Sequence, residues 1–186
     1  MRLRPCLSAL LAPIALAGCA SPQTHLLTLD AVAPGPDGVR ANYRGLPIAI
    51  PAVHVPVTLD RAEYVDQVSA GEAKVDDFAH WAAPLGLLAR DALVRDLIAR
   101  LPAGAVLPPG SGGRAGSVRT IDVTILALGT RPGTAFLQAA YRVLPDGPLR
   151  QVELDGTVES DGPAGGARAF AGLIGKLADR IVLDLP

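Results

Sequence analysis

The chain has 186 residues, of which 49% are hydrophobic, 19% charged and 4% aromatic, and its formal net charge is −1. This balance supplies ample apolar material for one packed domain and argues against a disordered chain. The near-neutral charge and the few aromatic side chains argue against nucleic acid as a partner and against electrostatic binding to an anionic membrane surface.

The N-terminal segment, residues 1–18, has the three-part composition of a secretory signal peptide. Arg2 and Arg4 give a positive start, residues 7–16 are almost wholly apolar, and the small residues Ala17 and Gly18 follow. The apolar stretch, about ten residues, is too short for the roughly 20 that a membrane-spanning helix needs. The sequence therefore predicts a signal peptide that is removed after Gly18.

The residues around the predicted cleavage point, Leu16-Ala17-Gly18-Cys19, resemble the lipobox of bacterial lipoproteins. The resemblance implies that the Cys19 thiol takes a diacylglycerol, that a signal peptidase cuts between Gly18 and Cys19, and that the new amino group takes a third acyl chain. Three chains, at about 0.8 kcal/mol per buried CH2, make a strong membrane anchor. The alternatives are an ordinary cleaved signal peptide and a buried N-terminal helix with an incidental cysteine.

The second cysteine supports lipidation. Cys6 lies inside the predicted signal peptide, so the mature chain keeps only Cys19 and no free thiol. Residues 19–24 then form the acylated cysteine and a short tether. Because Ala20 rather than an aspartate follows the cysteine, we expect the outer membrane, on its periplasmic face.

The first half of the mature domain reads as short strands followed by a helix. Apolar patterning predicts strands at residues 25–29, 61–69 and 73–78, with a Pro/Gly-rich loop at residues 32–47. Ile48–Leu59 nearly alternates, but Pro51 and Pro56 lack backbone donors, which predicts a bulged or edge strand. Residues 84–101 predict a helix with exposed Asp-Arg pairs at residues 91/95 and 96/100. Its predicted apolar stripe is Leu87, Val94, Leu97, Ile98 and Leu101.

The second half predicts three strands joined by short turns and then a closing helix. The strands are expected at residues 120–127, 135–143 and 151–158, with turns at residues 129–133 and 145–147; residues 106–107 start a minor strand. Residues 166–183 predict an amphipathic helix with Arg168, Lys176 and Asp179 on its outer side. Its apolar stripe is Phe170, Leu173, Ile174, Leu177 and Ile181. The prediction is a single α+β domain over residues 25–186, with a largely antiparallel or mixed sheet and two amphipathic helices on one face.

The sequence offers no catalytic, cofactor-binding or metal-binding pattern. His25, His54 and His80 lack metal-ligand spacing, and the glycine-rich segment 109–116 lacks the Gly-Lys-Ser/Thr ending of a phosphate-binding loop. Trp81, the single tryptophan, is either a core residue or an anchor at an interface. We therefore expect a binding or assembly protein rather than an enzyme.

Three segments resemble the PqiC-like family of ABC-type transport auxiliary lipoproteins: Cys19–Asp30, Ile48–Ser69 and Trp81–Leu101. The resemblance implies a periplasmic lipoprotein that binds an MCE-domain transport protein at the outer membrane and supports lipid traffic and envelope integrity. Cys19 is the one functional residue that it carries over. An assembly or pilot lipoprotein for another outer-membrane complex, and a small hydrolase or ligand-binding protein, are the alternatives. Whether the chain forms a homo-oligomer stays open.

Overall fold

The computed structural model describes residues 23–36, 38–40, 42–69, 71–111 and 116–186. The predicted signal peptide, Gly18 and Cys19 lie outside the described residues. The secondary-structure elements, in chain order, are β1 (His25–Leu27), β2 (Ile48–Ala49), β3 (Val53–His54), β4 (Glu63–Ser69), β5 (Glu72–Trp81), α1 (Leu85–Arg100), β6 (Arg119–Arg131), β7 (Thr134–Val143), β8 (Arg150–Thr157) and α2 (Pro163–Asp184).

The described strands form two mixed sheets. In the smaller sheet β5 lies between β1, which is parallel to it, and β4, which is antiparallel. In the larger sheet β6, β7 and β8 form an antiparallel meander, and the short strands β2 and β3 add in parallel to the free edge of β6. The predicted α+β class and the meander are confirmed, and the prolines of the 48–59 segment divide it into two short edge strands.

The C-terminal helix α2 covers the larger sheet with the predicted apolar stripe. All five stripe residues are buried, and α2 packs against β6, β7 and β8. The helix begins sharply because Gly162 adopts a φ of 83°, which side-chain-bearing residues rarely adopt, and Pro163 fixes the first helical φ. Helix α1 packs beside α2 and against β3, so both helices share one core with the sheets.

The predicted inner face of α1 is wrong in part. Leu87 and Ile98 are 44% and 50% exposed, whereas Asp96 and Arg100 are completely buried. The buried face of α1 also contains Ala89, Ala92 and Leu93, whose small or compact side chains allow close packing. The pair at residues 96 and 100 is therefore an internal ion pair and not a surface one.

Three further features differ from the sequence prediction. Strand β6 extends to Arg131, so the predicted turn at residues 129–133 shrinks to Pro132 and Gly133. Its register with β7 shifts between Ile125 and Ala127, which ends the predicted alternation. The predicted strand at residues 106–107 is one isolated bridge from Val106 to Ile48.

The segment at residues 32–47 is more than a surface loop, because it closes the C-terminal ends of both helices. The Arg40 amide donates to the Arg100 carbonyl at 2.9 Å, and the Arg40 guanidinium donates to the carbonyl of Leu185, just beyond α2. A cation at a helix C-terminus also complements the helix dipole. Tyr43 in the same segment is buried in the core.

Candidate functional site

The aromatic residue that the sequence singled out lies inside the domain. Trp81 is 6% exposed, and its ring centroid lies 5.7 Å from that of Tyr64 and 6.4 Å from that of Phe170. These rings join the end of β5 to β4 and α2. Burial raises the pKa of Tyr64 to about 12. Trp81 therefore acts in this chain as a core residue.

Polar side chains in the described ranges do not gather into a metal site. No group of three or more His, Cys, Asp or Glu side chains among those residues is placed to hold a metal ion. Glu153 and Asp155 point outward from β8, as the strand alternation predicted. No helix in the same part of the chain is long and apolar enough to cross a bilayer.

The segment that follows the predicted tether pairs with β5 and is hydrogen-bonded to α1. β1 pairs with β5 through three residues, and Leu27 and Leu29 are buried. The Arg95 guanidinium donates to the Leu29 carbonyl at 2.6 Å. Any membrane anchor at Cys19 would therefore act on the folded domain through this short strand and its bonds to α1.

Arg100 is the centre of a buried ionic cluster that sequence reasoning missed. Its Nε donates to Asp179 Oδ1 at 2.6 Å, and one terminal nitrogen lies 3.6 Å from Asp96 Oδ1. The two terminal nitrogens also donate to four main-chain carbonyls: those of Val32, Ala33, Asp96 and Gly175. All five guanidinium N–H donors thus have acceptors, which offsets the cost of burying the charge.

The cluster joins α1, α2 and the segment after β1. Asp96 Oδ1 accepts a hydrogen bond from the Val32 amide at 2.6 Å, and Asp179 Oδ1 accepts one from the Gly35 amide at 3.4 Å. A Cβ atom at Gly38 would lie 2.0 Å from Asp179 Oδ1, so only glycine fits there without displacing the carboxylate. Asp179, predicted on the outer side of α2, is instead a half-buried partner of α1.

Asp96 is the titratable member of this cluster. Burial raises the pKa of Asp96 to about 6, against the opposing effects of the Val32 hydrogen bond and of the Arg100 and Arg95 charges. Asp179 adds to the increase, and Asp96 Oδ2 is buried with no hydrogen-bond partner among the described residues. Between about pH 4 and pH 6, the folded protein therefore retains on Asp96 a proton that the unfolded chain has already released.

We expect the Asp96→Asn variant to remove a pH dependence of stability. Because the folded-state pKa of Asp96 is raised from 3.8 to about 6, its stabilising contribution is full below pH 3.8 and is lost as the pH rises through 6. The unfolding free energy of wild type minus that of Asp96→Asn should fall by about 2 kcal/mol between pH 4 and pH 7. Urea unfolding at intervals across this range measures the difference; a constant or rising difference would contradict the assignment.

A second feature is a groove of about 570 Å³, with both polar and apolar walls, between the β4–β5 hairpin, the segment after β3 and the middle of β6. Its walls include Leu59, Val65, Val75, Leu126 and Leu128, and Arg61 lies among the polar residues of its lining. The sequence placed these residues in separate strands and gave no signal that they meet. Leu126 lies at the shift in the β6–β7 register, which periodicity does not reveal.

Comparisons with known proteins give matches over nearly the whole described domain. The model of a family described as ABC-type transport auxiliary lipoprotein component matches residues 27–182. A crystal structure of an uncharacterized protein, 19% identical, aligns with a TM-score of 0.71 over 88% of this chain and 99% of that one. Protein XCC0632 from Xanthomonas campestris, of the family DUF330, is 16% identical and aligns with a TM-score of 0.59 over 86% of this chain and 92% of its own. No curated protein matches the sequence.

Proposed function

Since this chain belongs to the family of ABC-type transport auxiliary lipoprotein components, we propose that it is a lipid-anchored auxiliary protein that binds a transport complex in the cell envelope. The observation that carries the proposal is the extent of the match, residues 27–182, which includes both sheets and nearly all of both helices. Family membership thus concerns the folded domain as a whole and not one short motif.

The anchor is proposed at Cys19, after cleavage between Gly18 and Cys19. The basic start, the short apolar stretch and the small residues before the cysteine support it. With Ala20 next in the chain, we place the protein in the outer membrane, facing the periplasm. Anchoring holds the domain at high local concentration beside any partner that reaches this membrane.

The partner is proposed to be an MCE-domain protein of the periplasm, bound without catalysis by this chain. The domain offers ordered surfaces, and its buried polar cluster has every Arg100 donor bound to protein acceptors, so that cluster has no donor left for a substrate. A pilot lipoprotein for another translocon or secretion complex would use the same anchor and differ in the partner it binds.

Photo-cross-linking in cells tests the partner. A photoreactive amino acid replaces Val57, Leu87 or Leu149, which are 90%, 44% and 63% exposed and lie in different parts of the chain. We expect at least one position to capture an MCE-domain protein on irradiation, identified by mass spectrometry, and none to do so in the dark. Capture of a β-barrel or a secretin instead would favour the pilot function, and the absence of any envelope transport component would contradict the proposal.

A further inference from the structure

The outer edge of β8 is open in the part of the chain that the structure describes. β8 is the last strand of the larger sheet, and no described strand pairs with its outer side. The Val158 amide donates to the carbonyl of Gly133, just before β7, at 3.1 Å, so β8 residues of even number direct their main-chain groups toward β7. Residues of odd number therefore direct their N–H and C=O groups outward. The bond from Lys176 Nζ to the outward Asp155 carbonyl, at 2.5 Å, agrees with this direction.

Helix α2 runs beside this edge and leaves a cleft along it. The cleft has two parts, of about 400 Å³ beside the C-terminal part of α2 and about 370 Å³ beside its N-terminal part. On the strand side, Val152 and Leu154 are half-buried, and a Cβ atom at Gly156 would lie 3.4 Å from Leu173 Cδ2 of α2. The cleft therefore follows the whole length of β8, on the face of the strand that α2 covers.

The helix side of the cleft is positively charged. Arg168, Lys176 and Arg180 are spaced by eight and four residues, so they lie on one side of α2. All three are exposed and belong to the lining. A strand added to the edge of β8 would meet these cations with the side chains that face α2.

The carboxylates of the lining are bound elsewhere or lie at its end. Asp184 accepts a hydrogen bond from the Tyr141 hydroxyl at 2.5 Å. The Glu153 side chain points away from α2 and accepts one from Gln138 Nε2 at 3.2 Å. Glu159 lies beyond the last residue of β8. The charge that faces an incoming strand on the α2 side is therefore mainly positive.

We propose that the edge of β8 binds an extended segment of a partner protein as an added strand, and that this segment has acidic side chains at every second position. Main-chain hydrogen bonds to the outward groups of β8 supply affinity, and carboxylates on the α2 side pair with Arg168, Lys176 and Arg180. Lys176 is exposed, so its ammonium can leave the Asp155 carbonyl for a carboxylate of the added strand. The inference rests on the proposed function only in requiring a protein partner.

A second copy of this chain fits the same edge poorly. Antiparallel pairing of two β8 strands centred at Glu153 or Leu154, the middle of the strand, would place carboxylates of the two copies side by side. It would also bring the cationic sides of the two α2 helices face to face. An acyl chain would leave the outward N–H and C=O groups without partners. The charge pattern therefore favours an acidic segment of a different protein.

A proline at an edge position tests the added strand. In cells that make the full-length protein, a photoreactive amino acid replaces the exposed Gln151. Mass spectrometry should identify the cross-linked peptide as a segment with Asp or Glu at alternate positions. Glu153→Pro removes an N–H that points away from β7, so the bonds between β7 and β8 are kept. It should lower the cross-linked yield about tenfold relative to Glu153→Ala, the matched control that keeps this N–H.

The cations of α2 give a second, independent arm of the test. Replacing Lys176 and Arg180 together with alanine should also lower the yield about tenfold, because carboxylates of the added strand lose their partners. Arg142→Ala is the matched control. Arg142 is exposed on β7 between the buried Tyr141 and Val143, so it lies on the face of the sheet opposite α2, and its loss should leave the yield unchanged.

Unchanged capture in either the proline variant or the double alanine variant would overturn the inference. So would a second copy of this chain, or a segment without alternating acids, found cross-linked at position 151. Urea unfolding checks that each variant is folded, and the double alanine variant decides the test if Glu153→Pro does not fold. Capture of a transport protein at Val57 or Leu87 but not at Gln151 contradicts only the present inference, whereas capture at none of these positions contradicts the proposed function as well.

Discussion

Replacing Cys19 with alanine is expected to abolish acylation and to remove the mature, membrane-anchored form of the protein. The Cys19 sulfur is the atom that accepts the diacylglycerol in the proposed modification, and alanine has no nucleophile in its place. Without acyl chains, each contributing about 0.8 kcal/mol per buried CH2, the folded domain has no comparable attachment. Metabolic labelling with a fatty acid should fall to background, and immunoblots should show the unprocessed precursor in place of the mature form.

Cys6 supplies a matched control for this experiment within the same chain. Cys6→Ala removes the only other thiol, which lies in the predicted signal peptide, and should leave labelling, processing and membrane fractionation unchanged. Fatty-acid labelling that survives in Cys19→Ala would place the modification elsewhere. Loss of labelling in both variants would show that the signal peptide itself had been damaged.

The elements whose burial depends on a single apolar face could be predicted from the sequence. In β7, Leu137, Ala139, Tyr141 and Val143 are all buried as the alternation indicated, and in α2 the whole predicted stripe is buried. Each of these elements packs one apolar face against the core and presents polar side chains on the other. Hydrophobic periodicity reports that arrangement directly.

Helix α1 shows where periodicity fails. Its inner face combines small residues with Asp96 and Arg100, so the most hydrophobic stripe is not the most buried one. The burial of these charges depends on Asp179, which lies 79 residues from Arg100 in the chain, and on the carbonyls of Val32 and Ala33. A sequence pattern over one helix contains no information about such distant partners, and the i,i+4 spacing is the same for a surface pair.

The groove likewise could not be predicted from the sequence. It lies beside the register shift in β6, where two sheets approach, and neither feature leaves a local pattern. The predicted anchor, in contrast, is wholly local, because a signal peptidase and an acyltransferase recognise a short stretch of chain. A motif of this kind can therefore be predicted from the sequence alone, whereas a groove between distant strands cannot.

Arg100→Ala is expected to destabilise the domain by about 3–5 kcal/mol, the range for breaking a buried ion pair by removing one partner. The guanidinium is 1% exposed, and its loss leaves Asp96 and Asp179 without their cation and four carbonyls without a donor. Urea unfolding at pH 7 measures the loss. Hydrogen exchange should show the largest loss of protection at residues 25–36, because the carbonyls of Val32 and Ala33 lose the Arg100 bonds that join this segment to α1.

Arg90→Ala separates this effect from the loss of any arginine on the same helix. Arg90 pairs with its neighbour Asp91, and its side chain is 20% exposed, so the variant should lose less than about 1 kcal/mol.

Arg100→Met fills most of the vacated volume, and adding Asp96→Asn to it should restore part of the stability by removing an unpaired charge. If Arg100→Ala lost no more stability than Arg90→Ala, the cluster would not hold the segment after β1 to the helices, and only β1 and the Arg95 bond to the Leu29 carbonyl would do so.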